Sequence, residues 1–574
     1  MNLSDFNLER KDAVYLVFVL LFSFFTIYKM IEFYMHCGIY DPDKAIYLID
    51  ALKFAGLDYN NICLPSDIFY SPVICFLTSI LFRLGLVDKL AIFIVTGIFG
   101  VICEVGVYVF LRQRFNQILS LTGVIIFGSL SVILLNIGSG GIDLPSIGVS
   151  VWIILFAVAA VEKNPKYFLV IFPLLVIGFF IRYTVGFIFP VILIYYILSK
   201  KESSNINCLI NEKNMIKDKF INFIHSIEFK YIAISIFLGL LLAIIICWYI
   251  IDNGGALTFI QQSSNTFNGV QPNTLRVDFN QSRLYYLKNL NAILFEDCRF
   301  LDSLLSFSLL SIFILGFLLK IKNNFKNFYK NFMNKSNLIF KTIFVLSLLG
   351  IFFGFVFMRN HMISNICVMV NVICAYCLID DNGFNTKFTL LNFSWLLITF
   401  IFASLYEVKV FRYFIPIVIP FVYFIILGFE EILIELLNLN HHFVGEKQSY
   451  SLKSKINILP IILIALLLFS SIIFVEDTNY DIRGEIGLGL VDVTDYIITH
   501  DPDFQSKEIL GDEHVFTIAK WYLKVNGTMF RDYQTDLVDT FNASYVIHNQ
   551  KEKFENYTEI YHSKGVYLYA PVNQ

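Results

Sequence analysis

The sequence predicts an α-helical polytopic membrane protein with about 13 transmembrane helices, followed by a small C-terminal α/β domain. Of the 574 residues, 57% are apolar and only 16% are charged, and the mean hydropathy is +0.68. A soluble domain with so few charged residues would precipitate, so lipid must surround most of the chain. The apolar residues also form runs of roughly 20, the length that a helix needs to cross a bilayer.

The first predicted span, residues 13–33, follows the charged residues Glu9, Arg10 and Lys11. No small-residue cleavage site follows it, so we expect a retained helix with a cytoplasmic N-terminus rather than a signal peptide. Twelve further apolar runs predict spans at residues 90–111, 117–137, 145–161, 166–181, 183–199, 231–251, 301–319, 338–358, 361–379, 388–406, 411–434 and 456–475.

Residues 70–86 form a shorter apolar segment that begins near Pro72 and ends on Arg83 and Gly85. If this segment does not cross the membrane, all the basic loops lie on the cytoplasmic side, as the positive-inside rule requires. If it crosses, the turn at Arg112 moves outside, and residues 166–199 must fuse into one overlong helix. We therefore expect a re-entrant or interfacial segment, with a crossing helix as the alternative.

On this topology four segments face the exterior: the loops 34–69, 138–144 and 252–300, and the tail 476–574, which follows a membrane domain of residues 1–475. The tail carries eight Lys or Arg and seventeen Asp or Glu residues, hence a net charge of −9, against −3 for the whole chain. An acidic tail agrees with an extracytoplasmic location at the cell membrane. No basic tract stands apart from the membrane flanks, so nucleic acid is not an expected partner.

The tail pattern predicts helices and strands in alternation. These elements are a helix that ends at Asp501, an extended segment 507–511, a helix at Val515–Leu523, a strand at 544–549 and a hairpin at 559–571. Asn526, Asn542 and Asn556 each begin an N-glycosylation sequon, which suits an exterior domain. We expect this domain to cover or gate the membrane site.

Three aspartates lie close to the predicted exterior membrane surface. Asp41 and Asp43 begin an amphipathic stretch that we expect to form an interfacial helix, and Asp143 follows the glycine-rich loop before another span. Carboxylates so close to hydrocarbon are costly unless they are paired or face water, which makes them candidates for function. Helix capping is the alternative for each, with Pro145 as the first residue of the helix that Asp143 would cap.

Four basic side chains are predicted at the same membrane face. Arg182 lies in an outer turn, Arg359 and His361 lie in the tight turn between two spans, and Arg412 begins a span. Cations at this depth suit a phosphate or pyrophosphate lipid headgroup. The alternative for each is contact with ordinary phospholipid headgroups.

The order of these features resembles the GT-C integral membrane glycosyltransferases. The shared features are an acidic D-x-x-x-Y motif after the first span, Y-x-P, a later Asp before a span, an Arg-Tyr-Thr turn, a long exterior loop, R-Y-x-x-P near the end and a soluble α/β tail. The sequence is most similar to the group that contains dolichyl-phosphate-mannose protein mannosyltransferases and lipid A aminoarabinose transferases. The resemblance covers most of the chain.

This resemblance implies roles for individual residues. Asp43 matches the general base, with Asp41 as the reserve choice, and Asp143 matches an aspartate that orients the acceptor or the base. Arg182 and Arg412 match the residues that hold the carrier phosphate. Relatives usually have Asp-Glu where this chain has Asp43 and Lys44, so the pattern departs from the family at that point.

The implied function is transfer of a sugar from a polyprenyl-phosphate donor, of the dolichyl-phosphate type, to a hydroxyl of a protein, lipid or glycan. No nucleotide-binding motif is present, as expected for such a donor. We expect no cofactor and no metal ion, because the D-x-D of metal-using relatives is matched only by Asp41-Pro-Asp43 in a different loop; a divalent cation is the alternative. A lipid or glycan transporter or flippase without transferase activity is the alternative function, although no internal repeat supports it.

Overall fold

The computed structural model describes residues 3–39, 41–57, 71–201, 227–252, 282–295, 300–333, 338–379, 383–406, 409–443, 458–476, 485–512, 515–525, 527–530 and 538–572. Within these ranges the chain is helical up to Glu476 and mixes helices with strands from Glu485 onward. Most of the predicted loop 252–300 and the sequon residue Asn526 lie outside the described residues.

The first half of the chain contains ten helices in the described ranges. They are α1 (Asp12–Cys37), α2 (Pro42–Ala55), α3 (Pro72–Arg83), α4 (Lys89–Arg112), α5 (Gln117–Ser129), α6 (Ser131–Leu134), α7 (Asp143–Glu162), α8 (Phe168–Ile181), α9 (Ile188–Lys201) and α10 (Ile227–Asp252). Side-chain caps begin several of them: Asp88 accepts from the Leu90 amide at 2.8 Å, and Asn116 accepts from the Leu119 amide at 2.9 Å.

The second half adds eight described helices before the tail. They are α11 (Tyr285–Lys288), α12 (Leu290–Leu294), α13 (Phe300–Met333), α14 (Leu338–Phe353), α15 (His361–Leu378), α16 (Phe384–Leu405), α17 (Ile415–Phe443) and α18 (Ile458–Glu476). Helices α13 and α17 cross where Gly316 meets Gly428, and a Cβ atom on Gly316 would overlap the Gly428 backbone. Helix α13 also continues through much of the basic segment 320–337, between the predicted spans 301–319 and 338–358.

Each of the thirteen predicted spans corresponds to helical structure. Among the described residues, eleven helices are long and apolar enough to cross a membrane. The other two predicted spans contain shorter helices: 117–137 is divided at Leu130 into α5 and α6, and 166–181 forms a short 3₁₀ turn and α8. The chain is therefore a multi-pass membrane protein.

The segment 70–86 forms α3, a helix of 12 residues. At 1.5 Å per residue this helix is about 18 Å long, well short of a hydrocarbon core of about 30 Å. It packs along α2 and against α4. The structure therefore favours the interpretation in which this segment does not cross the membrane.

Helix α2 differs from the predicted interfacial helix in its surroundings. Tyr47, Leu48, Ile49 and Asp50 are all buried, so both of its faces are covered by protein. The polar side that was expected to face water instead faces the interior of the molecule. The amphipathic pattern predicted the helix correctly but gave a wrong environment, since a polar face can line a protein cavity as well as solvent.

Basic residues gather at the helix ends opposite to α2, as the topology predicts. They form ion pairs with acidic residues there: Arg112 with Asp12 (2.6 Å), Arg114 with Glu430 (3.1 Å), Lys320 with Glu431 (2.7 Å) and Lys387 with Glu162 (3.2 Å). These pairs are partly or fully buried, so each cation is offset by a nearby carboxylate.

The tail contains a five-stranded sheet flanked by helices. Its elements are α19 (Glu485–His500), β1 (Ile509–Asp512), α20 (Phe516–Leu523), β2 (Gly527–Phe530), β3 (Tyr545–His548), β4 (Tyr557–Ser563) and β5 (Val566–Pro571). The strand order is β2-β1-β3-β5-β4. Strand β1 is parallel to both β2 and β3, and β5 is antiparallel to both β3 and β4. The predicted α/β class is confirmed, and β2 is the strand that the sequence pattern missed.

The tail packs directly on the membrane helices. Trp521 of α20 stacks on Phe82 of α3, with ring centroids 6.1 Å apart and planes 15° apart. Both side chains belong to the apolar core that continues from the membrane helices into the tail. The tail therefore lies at the membrane face where α1 ends and α2 begins.

Candidate active site

A cavity of about 170 Å³ lies where several helix ends meet. A single water needs only roughly 10–15 Å³ on this measure, so the cavity has room for a larger polar group. It is lined by Asp41, Asp43, Lys44, Tyr47, Gly141, Ile142, Asp143, Phe179, Arg182, Tyr183, Arg412 and Tyr413. Five of the seven predicted site residues therefore lie together, although up to 371 positions separate them in sequence.

Asp41 and Asp43 enter the cavity from the start of α2. Asp41 is the N-cap residue, and its carboxylate accepts a hydrogen bond from the Asp43 backbone N–H at 3.1 Å, with Pro42 as the first helical residue. The capping interpretation is thus confirmed for Asp41. It does not account for the Asp43 side chain, which is 44% exposed and extends into the cavity.

Arg412 joins these two aspartates from the opposite wall. It lies in the short 3₁₀ turn Phe411–Phe414 that leads into α17. One guanidinium nitrogen lies 3.1 Å from an Asp41 carboxylate oxygen, and the other lies 2.9 Å from an Asp43 carboxylate oxygen. The planar fork of an arginine can hold two acceptors at once, so this side chain fixes the separation of the two carboxylates.

Asp143 and Arg182 form a second ion pair in the same cavity. Asp143 is the first residue of α7, two residues earlier than predicted, so Pro145 is not the first helical residue and the Asp143 side chain does not cap the helix. Gly138 and Gly140 precede it with φ values of +62° and +81°, which glycine adopts without strain. Both charged side chains are almost fully buried, so the charge of each is neutralised by the other rather than by water.

Three tyrosines that were not predicted as site residues complete the polar lining. Tyr47 faces the cavity from α2, while Tyr183 and Tyr413 follow Arg182 and Arg412 in sequence. The Arg182 guanidinium carbon lies 4.9 Å from the centroid of the Tyr413 ring, which is cation–π geometry. Burial, reinforced by the nearby Asp43 carboxylate, raises the pKa of the Tyr47 phenol well above its usual range, so it remains a neutral hydrogen-bond donor.

Lys44 balances the charge of the cavity. Its side chain is buried, and its ammonium group lies 4.9 Å from the centroid of the Tyr34 ring. Three carboxylates and three cations thus line one space. The lining of the cavity is formally neutral, so an anion that enters must compete with aspartates for the arginines.

Arg359 and His361 lie outside this cavity. Arg359 is exposed at the turn before α15, in a left-handed conformation with φ of +51°. His361 is buried, with its ring centroid 5.4 Å from that of Phe402 and 6.2 Å from that of Phe187. The structure therefore does not bring these two predicted phosphate-binding residues to the aspartates.

The described residues contain no group of three or more His, Cys, Asp or Glu side chains arranged to hold a metal ion. Asp41 and Asp43 are the nearest approach to such a group within the cavity. Both carboxylates pair with the Arg412 guanidinium.

The stability of the fold should depend on Arg182 and Asp143 being present together. Replacing Arg182 with Gln leaves a buried carboxylate without its cation, which typically costs about 3–5 kcal/mol. We expect a clearly lower thermal unfolding midpoint in detergent for this variant. The matched control is the double variant Arg182→Gln/Asp143→Asn, which should recover most of the loss. Equal midpoints for the single and double variants would contradict the coupling.

Comparison with solved structures identifies the fold. The crystal structure of ArnT from Cupriavidus metallidurans bound to undecaprenyl phosphate matches with a TM-score of 0.55 and 10% sequence identity, over 98% of this chain and 98% of that chain. The apo structure of the same protein matches with a TM-score of 0.53 and 10% identity, over 96% of this chain and 97% of that chain. Both matches include the membrane helices and the tail.

Sequence comparison gives a more local result. The profile of the dolichyl-phosphate-mannose-protein mannosyltransferase family matches residues 70–210, which include Asp143 and Arg182. No curated protein sequence is similar enough to count as a match. The chain is therefore a multi-pass membrane protein with the GT-C fold, similar over residues 70–210 to the dolichyl-phosphate-mannose-protein mannosyltransferases.

Proposed function

We propose that this protein is a glycosyltransferase that moves a sugar from a polyprenyl phosphate to an acceptor hydroxyl. The observation that carries the proposal is the gathering of Asp41, Asp43, Asp143, Arg182 and Arg412 around one cavity. A carboxylate can take a proton from the acceptor, and guanidinium groups can stabilise a phosphate that leaves. The fold supports this proposal, because the ArnT structure of the same fold contains undecaprenyl phosphate.

The reaction is a substitution at the anomeric carbon of the sugar. The acceptor oxygen forms a bond to that carbon, while the bond between the same carbon and the phosphate oxygen breaks. The acceptor loses its proton to a carboxylate, and the polyprenyl phosphate leaves with one additional negative charge. Stabilising this additional charge lowers the barrier directly, because it develops only as the bond breaks.

Asp43 is the proposed general base. Its carboxylate is more exposed than that of Asp41, at 44% against 23%, and its described hydrogen bond is to Arg412 alone. The Asp41 carboxylate also caps α2 and is less free to accept a proton. Asp143 is proposed to orient the acceptor or the base from the opposite wall of the cavity.

Arg412 and Arg182 are the proposed phosphate ligands. Arg412 pairs with both Asp41 and Asp43, so the base is held in an ion pair. A donor phosphate would compete for the same guanidinium and thereby release the Asp43 carboxylate to accept a proton. We propose that these guanidinium groups, rather than a divalent cation, neutralise the leaving group.

The reaction is proposed to occur on the extracytoplasmic side of the membrane. The cavity and the tail lie at the same face, because α20 of the tail packs on α2. The acidic tail and the basic residues at the opposite helix ends support this orientation. The proposed acceptor is a protein, lipid or glycan that reaches the cavity from that side.

A transfer assay tests the proposed function. Purified protein in lipid nanodiscs would be incubated with polyprenyl phosphates that carry labelled sugars and with a mixture of candidate acceptors. We expect label in a product that no longer contains the polyprenyl chain. In a parallel assay with the protein reconstituted into sealed vesicles, label that crosses the membrane while still attached to the lipid would instead indicate a flippase. A nucleotide sugar offered as the donor should give no product.

A further inference from the structure

The tail contacts the short connection that leads to the proposed base. The Tyr522 side-chain oxygen, on α20, accepts a hydrogen bond from the Ile39 backbone N–H at 3.0 Å. Ile39 lies between the end of α1 and Asp41, the cap of α2. Burial raises the pKa of Tyr522 to about 12, so its hydroxyl remains protonated at neutral pH. A residue of the tail thus fixes the backbone two positions before the first cavity aspartate.

The same connection is enclosed by the tail. Gly38 has a φ of +73°, and a Cβ atom there would lie 3.0 Å from the Tyr522 side-chain oxygen and 3.1 Å from a methyl group of Val491. Any other residue would be both strained and crowded at this position. The connection is therefore held against the tail by close packing as well as by the hydrogen bond.

A second contact joins the same tail helix to α3, the helix that packs along α2. Trp521, the neighbour of Tyr522, stacks on Phe82 of α3, and α3 packs along α2. Helix α20 also packs on α2 directly. The tail helix α20 thus contacts both α2 and its neighbour α3.

We propose that Tyr522 is a positioning residue that holds Asp41 and Asp43 in register with Arg412. The inference rests on the proposed function and adds to it a role for the tail in building the site. The two carboxylates lie 2.9–3.1 Å from the Arg412 nitrogens, so a small shift of α2 would break these bonds. A displacement of about 1 Å in an active site can reduce the rate by roughly 10²-fold.

The substitution Tyr522→Phe tests this role, because it removes the hydroxyl and keeps the ring. We expect kcat to fall about tenfold while the KM for the polyprenyl-phosphate donor stays within about twofold, since both arginines remain. The matched control is Tyr561→Phe in the same tail. The Tyr561 ring stacks on the Tyr496 ring, away from the Ile39 connection, with ring centroids 4.4 Å apart. Removing the Tyr561 hydroxyl should therefore leave kcat unchanged.

Hydrogen exchange provides a readout that does not depend on activity. The Ile39 amide should exchange at least about tenfold faster in Tyr522→Phe than in the wild type, and at the wild-type rate in Tyr561→Phe. Unchanged exchange, or faster exchange with an unchanged kcat, would overturn the positioning role. If the wild-type protein transfers sugar from no polyprenyl phosphate, the proposed function fails, while unchanged exchange would still refute the contact between Tyr522 and the connection.

Discussion

Asp43→Asn is expected to reduce sugar transfer by about 10³-fold or more while the protein remains folded. General-base catalysis typically contributes about 10²–10⁴-fold, and an amide cannot accept the acceptor's proton. The fold should tolerate the change, because the Asp43 side chain is 44% exposed and asparagine keeps its shape. The measurement is the initial rate of transfer by purified variants of equal thermal stability. Normal turnover by Asp43→Asn would eliminate this residue as the base.

Two further variants make the result specific. Asp495→Asn applies the same chemical change to an exposed position of the tail and should leave the rate unchanged. Asp41→Asn should retain the cap of α2, because asparagine caps helices about as well as aspartate. We expect a smaller loss of rate for this variant than for Asp43→Asn. A larger loss of rate for Asp41→Asn than for Asp43→Asn would identify Asp41 as the base.

Arg412→Gln is expected to weaken donor binding by about 10- to 100-fold. A hydrogen bond to a charged group contributes roughly 1.5–3 kcal/mol, and glutamine offers neither the charge nor the fork. The KM for the donor and the dissociation constant for free polyprenyl phosphate should both rise. Arg412→Lys should fall between the wild type and Arg412→Gln, because an ammonium group keeps the charge but cannot hold two acceptors in one plane.

Arg359→Gln is the matched control for this prediction. Arg359 was predicted from the sequence to bind phosphate, yet it is exposed and does not line the cavity. Its replacement should change the donor KM less than twofold. An unchanged KM for Arg412→Gln together with a raised KM for Arg359→Gln would move the phosphate site to the turn before α15.

All the charged residues of the cavity except Lys44 could be predicted, because charge is rare at this depth of a membrane. Asp143 and Arg182 interrupt long apolar runs, and such residues are paired or functional. Their partners could not be predicted in the same way. Arg412 meets both Asp41 and Asp43 only because the turn before α17 is brought beside α2, and the sequence pattern contains no information about that contact.

Arg359 and His361 show where the same reasoning reaches its limit. Hydropathy and the positive-inside rule give the depth of a residue in the membrane, but they do not give its lateral position. The turn that carries Arg359 is predicted at the outer face, as the aspartates are, yet Arg359 does not line the cavity. Residues from different helices can share a depth without sharing a site.

Tyr47, Tyr183 and Tyr413 were missed for a different reason. Each of them belongs to a motif of the family resemblance (D-x-x-x-Y, Arg-Tyr-Thr and R-Y-x-x-P), but nothing in the sequence distinguishes these three among the 31 tyrosines as cavity residues. Their position beside the cavity depends on tertiary packing. In the tail, β2 was missed because its four residues, Gly527–Phe530, begin with glycine and contain one β-branched residue, whereas β3, of the same length, contains the strand-forming residues Tyr545, Val546 and Ile547.

A structure of the protein in nanodiscs with a bound polyprenyl phosphate tests the central claim most directly. The claim is that the aspartates and arginines of this cavity form the site that receives the donor phosphate. We expect the phosphate oxygens within about 3 Å of the Arg412 and Arg182 guanidinium nitrogens, with the Arg412–Asp43 bond broken and the lipid chain extending between the helices. A phosphate bound elsewhere, with both arginines still paired to their aspartates, would contradict the account.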